Sequence, residues 1–341
     1  MDPFATLSSA ARSRLRVARH PAWVQPMLAT LTEARFSDPG WIFERKFDGE
    51  RVLAFREGAR VRLLSRSRQH LDGTYPELVD ALGSEVPEDF VIDGEVVAFH
   101  GHRTSFARLQ GRLGISDPAR ARASAVRIYY YVFDIVHLDG HDLSALALRD
   151  RKALLRNAIT FTGPLRFTPH RNTWGEHYAE EACRWGWEGL IAKRADAPYV
   201  GRRSADWLKM KCSASQELVI GGFTEPAGSR VGLGALLVGY HDGAGLRYAG
   251  KVGTGYTREL LTELRHRLDA IETADPPFVN ARSIPRRGVH WVRPELVAAV
   301  TFSEWTTDGK LRHPRFDGLR TDKAASEVVR ERPQRGRRGS R

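Results

Sequence analysis

The alternation of apolar and polar positions predicts a strand-rich region between residues 41 and 135. In RVLAFREGARVRLLSR, two apolar runs flank Glu57-Gly58-Ala59, which is the pattern of a β-hairpin. FVIDGEVVAF predicts a strand broken at Asp93-Gly94, and VRIYYYVFDIVHLDG predicts a buried strand of aromatic and β-branched residues. YPELVDAL and TSFARLQGRLG have the residue spacing of helices.

Two more helices and two more strands are predicted before the pattern changes. LSALALRDRKALLRNAI and NTWGEHYAEEACRWG predict the helices, the second with Thr173 as its N-cap. EGLIAKRAD and DWLKMKC predict the strands. Short strands with glycine-rich turns then follow, of which Asp242-Gly243 and Asp308-Gly309 fit hairpins. One amphipathic helix, TRELLTELRHRLDAIE, interrupts these short strands.

These patterns predict an α+β chain of two domains with two terminal extensions. Residues 215–323, with short strands and one helix, have the profile of a small β-barrel, with the OB-fold as the leading candidate. Residues 23–214 form the other domain. We predict a loose N-terminal arm or one short helix over residues 1–22. The Arg/Gly/Pro-rich residues 324–341 are predicted to form a basic disordered tail.

Composition adds that the chain has the character of a soluble globular protein, with 42% hydrophobic and 28% charged residues among 341. The sequence contains no run of about 20 apolar residues, so no membrane span is predicted. Its N-terminal residues lack the apolar segment of a secretory signal. Cys183 and Cys212 are too few for a disulfide framework, so we expect a reducing cytoplasm.

The net charge of +12 and the pI of about 10.0 favour a polyanionic partner, because basic side chains bind phosphates and release counterions. Part of the surplus lies at the C-terminus, where residues 323–341 hold seven Lys or Arg against two Glu. That leaves +7 for the rest of the chain. The charge therefore indicates nucleic acid without proving it.

Lys46 is the candidate reactive group in FERKFDGERVLAF, where five charged residues surround it within an eight-residue stretch. On a strand, Glu44, Lys46 and Asp48 point to one face. A lysine is a nucleophile only when deprotonated, which nearby cations or desolvation favour. Taken alone, the stretch is better explained as a solvated strand end.

Lys209 and Lys211 share one face of WLKMKC, opposite Leu208, Met210 and Cys212. Two like charges side by side on an apolar strand repel one another unless an anion lies between them, and a phosphate would serve. An edge strand with a solvated face explains the pattern equally well at this point.

Three acids, Glu95, Asp134 and Glu188, stand within apolar runs. Buried carboxylates are costly unless a cation or a metal compensates them. Carboxylates that converge would suit Mg²⁺ or Mn²⁺. Singly, each is better explained as a strand cap or a partner of an arginine. Phe133, beside Asp134, could stack on a base, although a core position is the simpler explanation.

The six stretches occur in a recognisable order: KFDG (46–49), SRS (65–67), DGE (93–95), FDI (133–135), EGLIAK (188–193) and WLKMK (207–211). This series closely resembles the ordered motifs of the covalent nucleotidyltransferases, namely ATP-dependent DNA ligases, RNA ligases and capping guanylyltransferases. QPMLAT, GLGALLVGYHDGAGLRYAGKVGTGY and FSEWTTDGKLRHPRFDGLRTDK further resemble the bacterial DNA ligases of non-homologous end joining. The polymerase and nuclease modules that such ligases often carry are not among these residues.

The resemblance implies a fold and an activity. Residues 23–214 would be an adenylation domain of antiparallel sheets with flanking helices, and residues 215–323 an OB-fold domain. The enzyme would seal 5′-phosphate/3′-hydroxyl nicks or ends through a lysyl-AMP intermediate and a DNA-adenylate. ATP would donate the AMP, with Mg²⁺ or Mn²⁺ as cofactor.

The resemblance also implies roles for single residues. Lys46 would be the nucleophile, and the catalytic set would further include Asp48, Lys209 and Lys211, the two lysines holding the α-phosphate. Lys193 matches the lysine of the EGxxxK motif, with a less defined role, because strict alternation places it opposite Glu188. For the nucleoside, Glu44 would contact the adenine edge, Phe133 would stack on adenine, and Arg51 would contact the ribose and nearby phosphates. Arg66 would contact the ribose or the 5′-phosphate of the nick, and Glu95 the ribose or the metal, which Glu188 would also bind. Arg320, Asp322 and Lys323 would contact the pyrophosphate.

The partner implied by the resemblance is nicked or broken duplex DNA, with a Ku-type end-binding protein and a separate repair polymerase beside it. We expect a monomer in the bacterial cytoplasm or nucleoid, without a membrane. An RNA ligase or a capping enzyme is the alternative within the class, and the C-terminal motif argues against capping. A non-catalytic DNA-binding module is the other alternative, against which the intact Lys46, Glu188, Lys209 and Lys211 argue.

Overall fold

The structure of the protein is a computed structural model that describes residues 2–228, 231–284 and 287–333. Within them the chain forms two units, one ending at Cys212 and the other running from Ser213 to Arg332. No helix in the described ranges is long and apolar enough to cross a membrane.

The first unit is built mainly from strands, as its alternating apolar pattern predicts. Its strands are β1 (Arg16–Val17), β2 (Leu28–Thr32), β3 (Trp41–Lys46), β4 (Glu50–Glu57), β5 (Arg60–Ser65), β6 (Asp89–His100), β7 (Arg103–Thr104), β8 (Ile128–Leu138), β9 (His141–Asp142), β10 (Leu165–Phe167), β11 (His170–Arg171), β12 (Gly189–Arg194) and β13 (Arg203–Lys211). Its helices are α1 (Ser9–Arg12), α2 (Pro76–Gly83), α3 (Phe106–Leu109), α4 (Pro118–Arg122), α5 (Leu148–Ala158) and α6 (Gly175–Arg184).

The long strands form a large sheet in the order β1-β9-β8-β6-β4-β5, with β10 beside β8 and β7 beside β6. The predicted hairpin is confirmed as β4–β5, where Gly58 adopts a φ of +61° that a glycine takes without strain. Strand β6 is not broken at Asp93-Gly94 as predicted. Instead it continues through a register shift against β8, which bends the strand and keeps it paired.

A second sheet has the order β11-β3-β12-β13-β2. Its pairs are antiparallel except for β2, which runs parallel to β13, just as β10 runs parallel to β8. The prediction of purely antiparallel sheets is therefore corrected at two pairings. Strand β13 lies between β12 and β2, so the edge-strand explanation for WLKMKC is wrong.

The two faces of the second sheet differ in chemistry. One face carries Phe43, Leu190 and Met210 and packs in an apolar cluster with Tyr178 and Ala182 of α6. The opposite face carries Lys46, Lys193, Lys209 and Lys211, because residues of the same parity share a face of a strand. The helix closes the apolar face, so the charged face is the one available for chemistry.

The N-terminal residues are packed against the first unit and include the short helix α1, which supports the predicted short helix and not the loose arm. Phe4, Leu7 and Ala11 are buried in the same apolar cluster as the large sheet. Strand β1 then pairs with β9, with Arg16 opposite Asp142. Apolar residues at positions 4, 7 and 11 have helical spacing, and burying them stabilises this segment on the sheet.

Helix α6 begins after an unusual residue. Thr173 is not its N-cap as predicted; Trp174 is, in the left-handed region with a φ of 61° and without a side-chain hydrogen bond to the helix. Helix α5 begins at Leu148, four residues after the predicted segment's serine, Ser144. Both segments are helical, and only their first turns differ from the prediction.

The second unit consists of short strands and one long helix. Its strands are β14 (Ala214–Thr224), β15 (Leu236–Asp242), β16 (Gly245–Val252), β17 (Glu272–Thr273), β18 (Val289–Val292), β19 (Val297–Phe302), β20 (Glu304–Trp305), β21 (Leu311–Arg312) and β22 (Arg315–Arg320). Helix α7 (Arg258–Asp269) is capped by the side chain of Thr257, and short 3₁₀ turns occur at Ala281–Ser283 and Ala325–Glu327. The central β14 pairs with β15, β18 and β19, which curls the sheet around one apolar core.

The second unit extends past residue 323, which corrects the predicted start of the tail. Val328 is fully buried in the core of this unit, and residue 329 bridges to His241 of β15. The side chain of Gln216 donates to the carbonyl of Val329 at 2.9 Å. The predicted disordered tail at residues 334–341 lies outside the described residues.

Candidate active site

Lys46 is the last residue of β3, directly before a tight turn. Gly49 occupies the turn, and a Cβ there would lie 2.2 Å from the carbonyl oxygen of Val96 and 2.8 Å from a methyl group of Val97. Such contacts are too close for any side chain, so only glycine fits. Asp48 stabilises the turn, because its Oδ2 accepts a hydrogen bond from the backbone N–H of Phe106 at 3.1 Å. The KFDG stretch is therefore held in one conformation.

Three rows of paired residues cross the charged face of the second sheet. Lys46 pairs with Gly189, which pairs with Lys211. Glu44 pairs with Ile191 and Ile191 with Lys209, and in the third row Lys193 stands between Ile42 and Trp207. Because neighbouring strands lie about 4.8 Å apart, the backbones of Lys46 and Lys211 are separated by roughly 10 Å. The structure thus brings together the predicted lysines of three motifs.

Gly189 leaves an opening between Lys46 and Lys211. A Cβ at this position would lie 2.0 Å from the carbonyl oxygen of Met210, and the φ of +146° is one that other residues rarely adopt. The residue between the two lysines therefore carries no side chain. Two cations flanking a gap in a sheet form a surface that suits a phosphate group.

Glu188 stands before this strand and reaches Lys46. Its Oε2 accepts from Nζ of Lys46 at 2.6 Å, with both side chains about one-fifth exposed. The prediction from strict alternation, which placed Lys193 opposite Glu188, does not apply, because Glu188 precedes β12 and Gly189 interrupts the extended backbone. Lys193 therefore shares the charged face with Lys209 and Lys211.

The surroundings of Lys46 hold its ammonium group in the charged form. Burial lowers the pKa of Lys46, but the adjacent Glu188, with smaller effects of Glu95 and Asp48, raises that pKa above its ordinary value. A protonated lysine is not a nucleophile. In this arrangement the amine becomes reactive only when these negative charges are offset.

Glu44 is buried between two lysines. Nζ of Lys152 lies 2.5 Å from its Oε1 and Nζ of Lys193 lies 2.6 Å from its Oε2, the second contact being an ion pair rather than a directed hydrogen bond. Burial raises the pKa of Glu44, but the two lysines have the larger, opposite effect, so the pKa lies below its ordinary value. Burial lowers the pKa of Lys193, and Glu44 offsets this only in part.

Phe133 and Trp207 form an aromatic wall beside Lys193. Nζ of Lys193 lies 4.2 Å from the ring centre of Phe133 and 4.0 Å from that of Trp207. The guanidinium of Arg51 lies 4.8 Å from the Phe133 ring on β8. Phe133 is 8% exposed, so it is a core residue whose ring also contacts the cations of Lys193 and Arg51.

Arg51 is bound within the protein by its neighbours. Its Nε and Nη2 donate to the two oxygens of Asp93 at 2.6 and 2.5 Å, and Nη2 also donates to the carbonyl of Met27. Tyr199 donates to the same carboxylate at 2.6 Å. Burial lowers the pKa of Arg51, but the opposite effect of Asp93 is larger, so the pKa lies above its ordinary value. The guanidinium is a fixed positive charge beside Phe133.

Several buried polar atoms near Glu44 have no hydrogen-bond partner within the described chain. They lie on residues of the same neighbourhood: Thr168, whose carbonyl accepts from Lys152; His170, which pairs with Glu44; and Trp207, beside Lys193. The unpartnered atoms are Oγ1 of Thr168, Nδ1 of His170 and Nε1 of Trp207. Leaving such atoms unpaired costs about 1–3 kcal/mol each. A polar ligand bound here would satisfy them.

Glu95 faces Lys46 from the large sheet. It is partly buried on β6, paired with Arg51 of β4, and its charge is one of those that raise the pKa of Lys46. Glu188 contacts Lys46 directly, and the charge of Glu95 acts on the same lysine. Arg66 is partly exposed in the turn after β5.

The predicted C-terminal residues lie in the second unit. Nε and Nη2 of Arg320 donate to the two oxygens of Asp322 at 2.8 Å, and Nζ of Lys323 donates to Glu217 at 3.1 Å. These ion pairs fix the RTDK segment at the end of β22. Their predicted contact with pyrophosphate stays a prediction.

Three charged residues have structural roles instead of a solvated one. Arg45 lies on the apolar face, 4.4 Å from the ring centre of Trp187, and Glu50 is buried and accepts from the hydroxyl of Tyr75 at 2.6 Å. Asp134 is fully buried against Arg151 of α5 at 2.7 Å. The structural explanation, pairing with an arginine, is therefore confirmed for Asp134.

A disulfide joins Cys183 at the end of α6 to Cys212, the residue after Lys211. The sequence did not predict this bond, since two cysteines are too few for a disulfide framework. Their separation of 29 residues gave no signal of it, because the contact depends on α6 packing against β13 across the sheet.

Lys152, Asp93 and Trp207 belong to the site but received no role from the sequence. Lys152 had a signal, since it falls on the buried face of α5 with Leu148 and Leu155 at helical spacing. Asp93 stood in a motif that was assigned to Glu95 alone. The partners of all three come from distant strands, which no local pattern reveals.

Two family models match the chain. One is described as the ATP dependent DNA ligase domain and matches residues 26–211; the other is the ATP dependent DNA ligase C terminal region and matches residues 229–323. Among solved structures, the chain is similar to a mycobacterial DNA ligase D complexed with ATP and MES, at 36% identity and a TM-score of 0.64. The match covers 90% of this chain and 98% of that one. The predicted nucleotidyltransferase and OB-fold architecture is confirmed.

Curated relatives are similar over most of this chain but are much longer. The multifunctional non-homologous end joining protein LigD of Pseudomonas aeruginosa is 37% identical over 320 residues, covering 92% of this chain and 37% of that protein. The DNA repair protein LigD of Mycobacterium tuberculosis is 39% identical over 317 residues, covering 90% of this chain and 40% of the relative. The chain therefore spans about two-fifths of the length of these relatives.

Proposed function

The chain belongs to the ATP-dependent DNA ligases, and from this premise we propose that it seals breaks in duplex DNA that carry a 5′-phosphate and a 3′-hydroxyl. The observation that carries the proposal is the row Lys46–Gly189–Lys211, with Glu188 2.6 Å from the reactive amine. It places a nucleophile and a phosphate-binding cation on either side of an opening.

The first step is self-adenylation. Nζ of Lys46 attacks the α-phosphorus of ATP, a nitrogen–phosphorus bond forms, and the bond to the pyrophosphate oxygen breaks. Lys209 and Lys211 hold the α-phosphate and neutralise charge that develops on it. Because the lysines project from paired strands, the phosphate is oriented before the reaction, which lowers the entropic part of the barrier.

Adenine is proposed to lie between Phe133 and the polar atoms near Glu44. The aromatic ring offers a stacking surface, and Thr168, His170 and Trp207 offer unpaired polar atoms. Glu44, fixed by two lysines, lies at the edge of this region. Arg51 stands beside the Phe133 ring, where its charge favours the anionic nucleotide.

A divalent metal ion, Mg²⁺ or Mn²⁺, fits the donors around Lys46. Glu188 and Glu95 supply the carboxylate oxygens that such ions prefer, and both negative charges raise the pKa of Lys46. When bound, the ion would supply positive charge that offsets these carboxylates and the triphosphate. Oε2 of Glu188 is the acceptor in contact with the Lys46 ammonium and is the proposed first recipient of its proton.

The next two steps use the same site. The AMP passes from Lys46 to the 5′-phosphate of the break, and the 3′-hydroxyl then attacks that phosphate and releases AMP. Each step forms one bond to phosphorus and breaks another, so positioning and charge neutralisation dominate. Duplex DNA is bound through its backbone by the basic surplus of the chain, because sealing must not depend on sequence.

A role in double-strand break end joining is supported by the names of the LigD relatives. A Ku-type end-binding protein and a separate repair polymerase are proposed partners, and we propose a monomer in the bacterial cytoplasm or nucleoid. The test is joining of linear duplex ends with and without a Ku-type protein. We expect the Ku-type protein to stimulate end joining. Equal joining with and without it would contradict the proposal that it is a partner.

The function is tested by sealing of a nicked duplex with ATP and Mg²⁺. Lys46→Ala should abolish sealing of the 5′-phosphate nick yet still seal a nick that is already adenylated, because the last step does not use the lysine. Lys251→Ala, which removes an exposed lysine, is the control and should seal both. Sealing of the plain nick by Lys46→Ala would contradict the mechanism. Sealing of a nick in RNA alone, or use of GTP alone, would contradict the choice of DNA and ATP.

A further inference from the structure

Two histidines and an aspartate meet at a place in the first unit that the ligase mechanism does not use. His20 follows β1, Asp89 begins β6, and His137 lies near the end of β8. Nδ1 of His20 lies 2.7 Å from Oδ1 of Asp89, and Nε2 of His137 lies 3.0 Å from Oδ2 of the same carboxylate. Three residues that are far apart in sequence thus meet at one carboxylate.

The cluster is separate from the catalytic lysine. Asp89 is six residues from Glu95 along β6, which corresponds to roughly 20 Å on an extended strand. His137 is four residues beyond Phe133 on β8. The three side chains therefore need an explanation of their own.

The donor atoms are arranged as metal ligands are. All three lie within 4.8 Å of one another, close enough to share a single ion. The imidazole side chains are only 4% and 2% exposed, whereas the side chain of Asp89 is 29% exposed and leaves the cluster a solvent-facing side. The rings are also packed edge-to-face, with centres 5.3 Å apart. A site with buried ligands and one open side can take an ion and keep a water molecule on it.

The charge around Asp89 favours a cation. No lysine or arginine among the described residues forms an ion pair with its carboxylate, which has only the two imidazoles and the backbone N–H of Gly140 as partners. Nε2 of His20 is buried and has no hydrogen-bond partner in the described ranges, so the ring's side-chain hydrogen bond there is the one to Asp89. A partly buried carboxylate that no described lysine or arginine compensates is suited to a divalent ion.

We propose that His20, Asp89 and His137 form a binding site for a divalent transition metal ion of the Zn²⁺ class. Two imidazole nitrogens and one carboxylate oxygen suit Zn²⁺, whereas Mg²⁺ prefers oxygen ligands alone. The ion fastens the segment around residue 20 to the large sheet. This matters for the nucleotide site because residue 27, a few positions on, accepts a hydrogen bond from Arg51.

The test is metal binding by the full chain, stripped with a chelator under non-oxidising but disulfide-preserving conditions. After dialysis against Zn²⁺, metal analysis should find about one ion per chain, and Co²⁺ should give the visible absorption of a low-coordinate nitrogen–oxygen site. His20→Asn and His137→Asn should lower the Zn²⁺ affinity by at least about 100-fold. His177→Asn, which removes an exposed histidine on α6, is the matched control and should bind as the wild type does.

Thermal unfolding keeps the test independent of variants that fold poorly. Zn²⁺ should raise the midpoint of the wild-type protein and of His177→Asn, whereas equal Mg²⁺ should not produce this shift. The absence of retained Zn²⁺ and of a shift in the wild-type protein would overturn the proposal. Equal Zn²⁺ content in folded His20→Asn would overturn it as well, since the ion would then lie elsewhere.

Discussion

At the scale of single residues, the site depends on buried charges that compensate one another. Glu44 is almost fully buried, and its two oxygens face Lys152 and Lys193. Removing one partner of such a group leaves a buried charge that is poorly compensated, which is more costly than removing both.

We predict that Lys152→Met lowers the free energy of unfolding by about 3 kcal/mol, at the lower end for a buried pair because Lys193 remains beside Glu44. Chemical denaturation monitored by fluorescence measures the change. The double variant Glu44→Gln/Lys152→Met is the control and should recover part of the loss. A single variant as stable as the wild type would show that the contact carries no net stabilisation.

The sequence identified the candidate catalytic lysines, which the structure places on one face of a sheet, but not the residues that support them. Lys46, Lys209 and Lys211 were identified through the order of the six motifs, because each local pattern alone is explained as well or better by a solvated strand. Lys152 and Asp93 were missed because their partners, Glu44 and Arg51, are contributed by other elements. Their energies depend on burial, which the sequence does not state.

At the scale of elements, a disulfide anchors the end of β13, the strand that carries Lys209 and Lys211. The loop closed between Cys183 and Cys212 covers a separation of 29 residues. Closing such a loop removes conformational entropy from the unfolded chain.

Reduction should therefore lower the free energy of unfolding by about 3 kcal/mol. Denaturation with and without a thiol reductant measures this change. The Cys183→Ser/Cys212→Ser variant is the control, and its stability should not respond to reductant. If the wild-type protein is equally stable under both conditions, the bond does not contribute to folding.

In the second unit, His290 joins three elements. It lies on β18 and contacts Glu272 of β17 at 2.6 Å through Nδ1, while its Nε2 contacts Glu225, which follows β14. Burial lowers the pKa of His290, but the opposite effect of the two glutamates is larger, so the pKa lies above its ordinary value.

Because the folded-state pKa is raised, the contribution of His290 to stability is complete below the unfolded pKa of about 6.5 and is lost as pH rises through the folded value. The partly exposed setting limits it to about 1 kcal/mol. The difference in stability between wild type and His290→Gln should shrink over that interval. A difference that grows with pH would contradict the assignment.

The predicted elements fared best where periodicity is long and local. Helix α7 and the β4–β5 hairpin agree with their patterns, since caps and turns mark both ends. The unbroken β6 was missed because Asp93-Gly94 carries turn residues, yet pairing on both sides holds the strand together. Tertiary pairing there outweighs local propensity.

At the scale of the whole molecule, the predicted tail combines residues that pack in the second unit with an arginine-rich end that lies outside the described residues. Residues up to 332 belong to the second unit, where Val328 is fully buried, whereas residues 334–341 contain four arginines. The sequence alone merged both into one tail, because Val328 is a single apolar residue in a polar stretch.

Truncation after residue 333 should weaken binding to nonspecific duplex DNA and reduce the salt dependence, because four charges are lost and each phosphate contact contributes about 0.9 to the slope. Stability should not change. Truncation after residue 323 is the contrasting variant and should destabilise the protein by roughly 2 kcal/mol through loss of the Val328 contact. Binding isotherms at several salt concentrations measure the slope of the logarithm of affinity against the logarithm of salt concentration. If the truncation after residue 333 leaves this slope unchanged, these arginines do not contact DNA.

The central claim is that Lys46 carries AMP during the reaction. The most direct measurement is mass spectrometry of the protein after incubation with ATP and Mg²⁺, followed by mapping of the modified peptide. We predict that one AMP is added per chain, that it maps to Lys46, and that Lys46→Ala gains none while Lys251→Ala is modified like the wild type. An adduct on another residue, or one that persists in Lys46→Ala, would contradict the account.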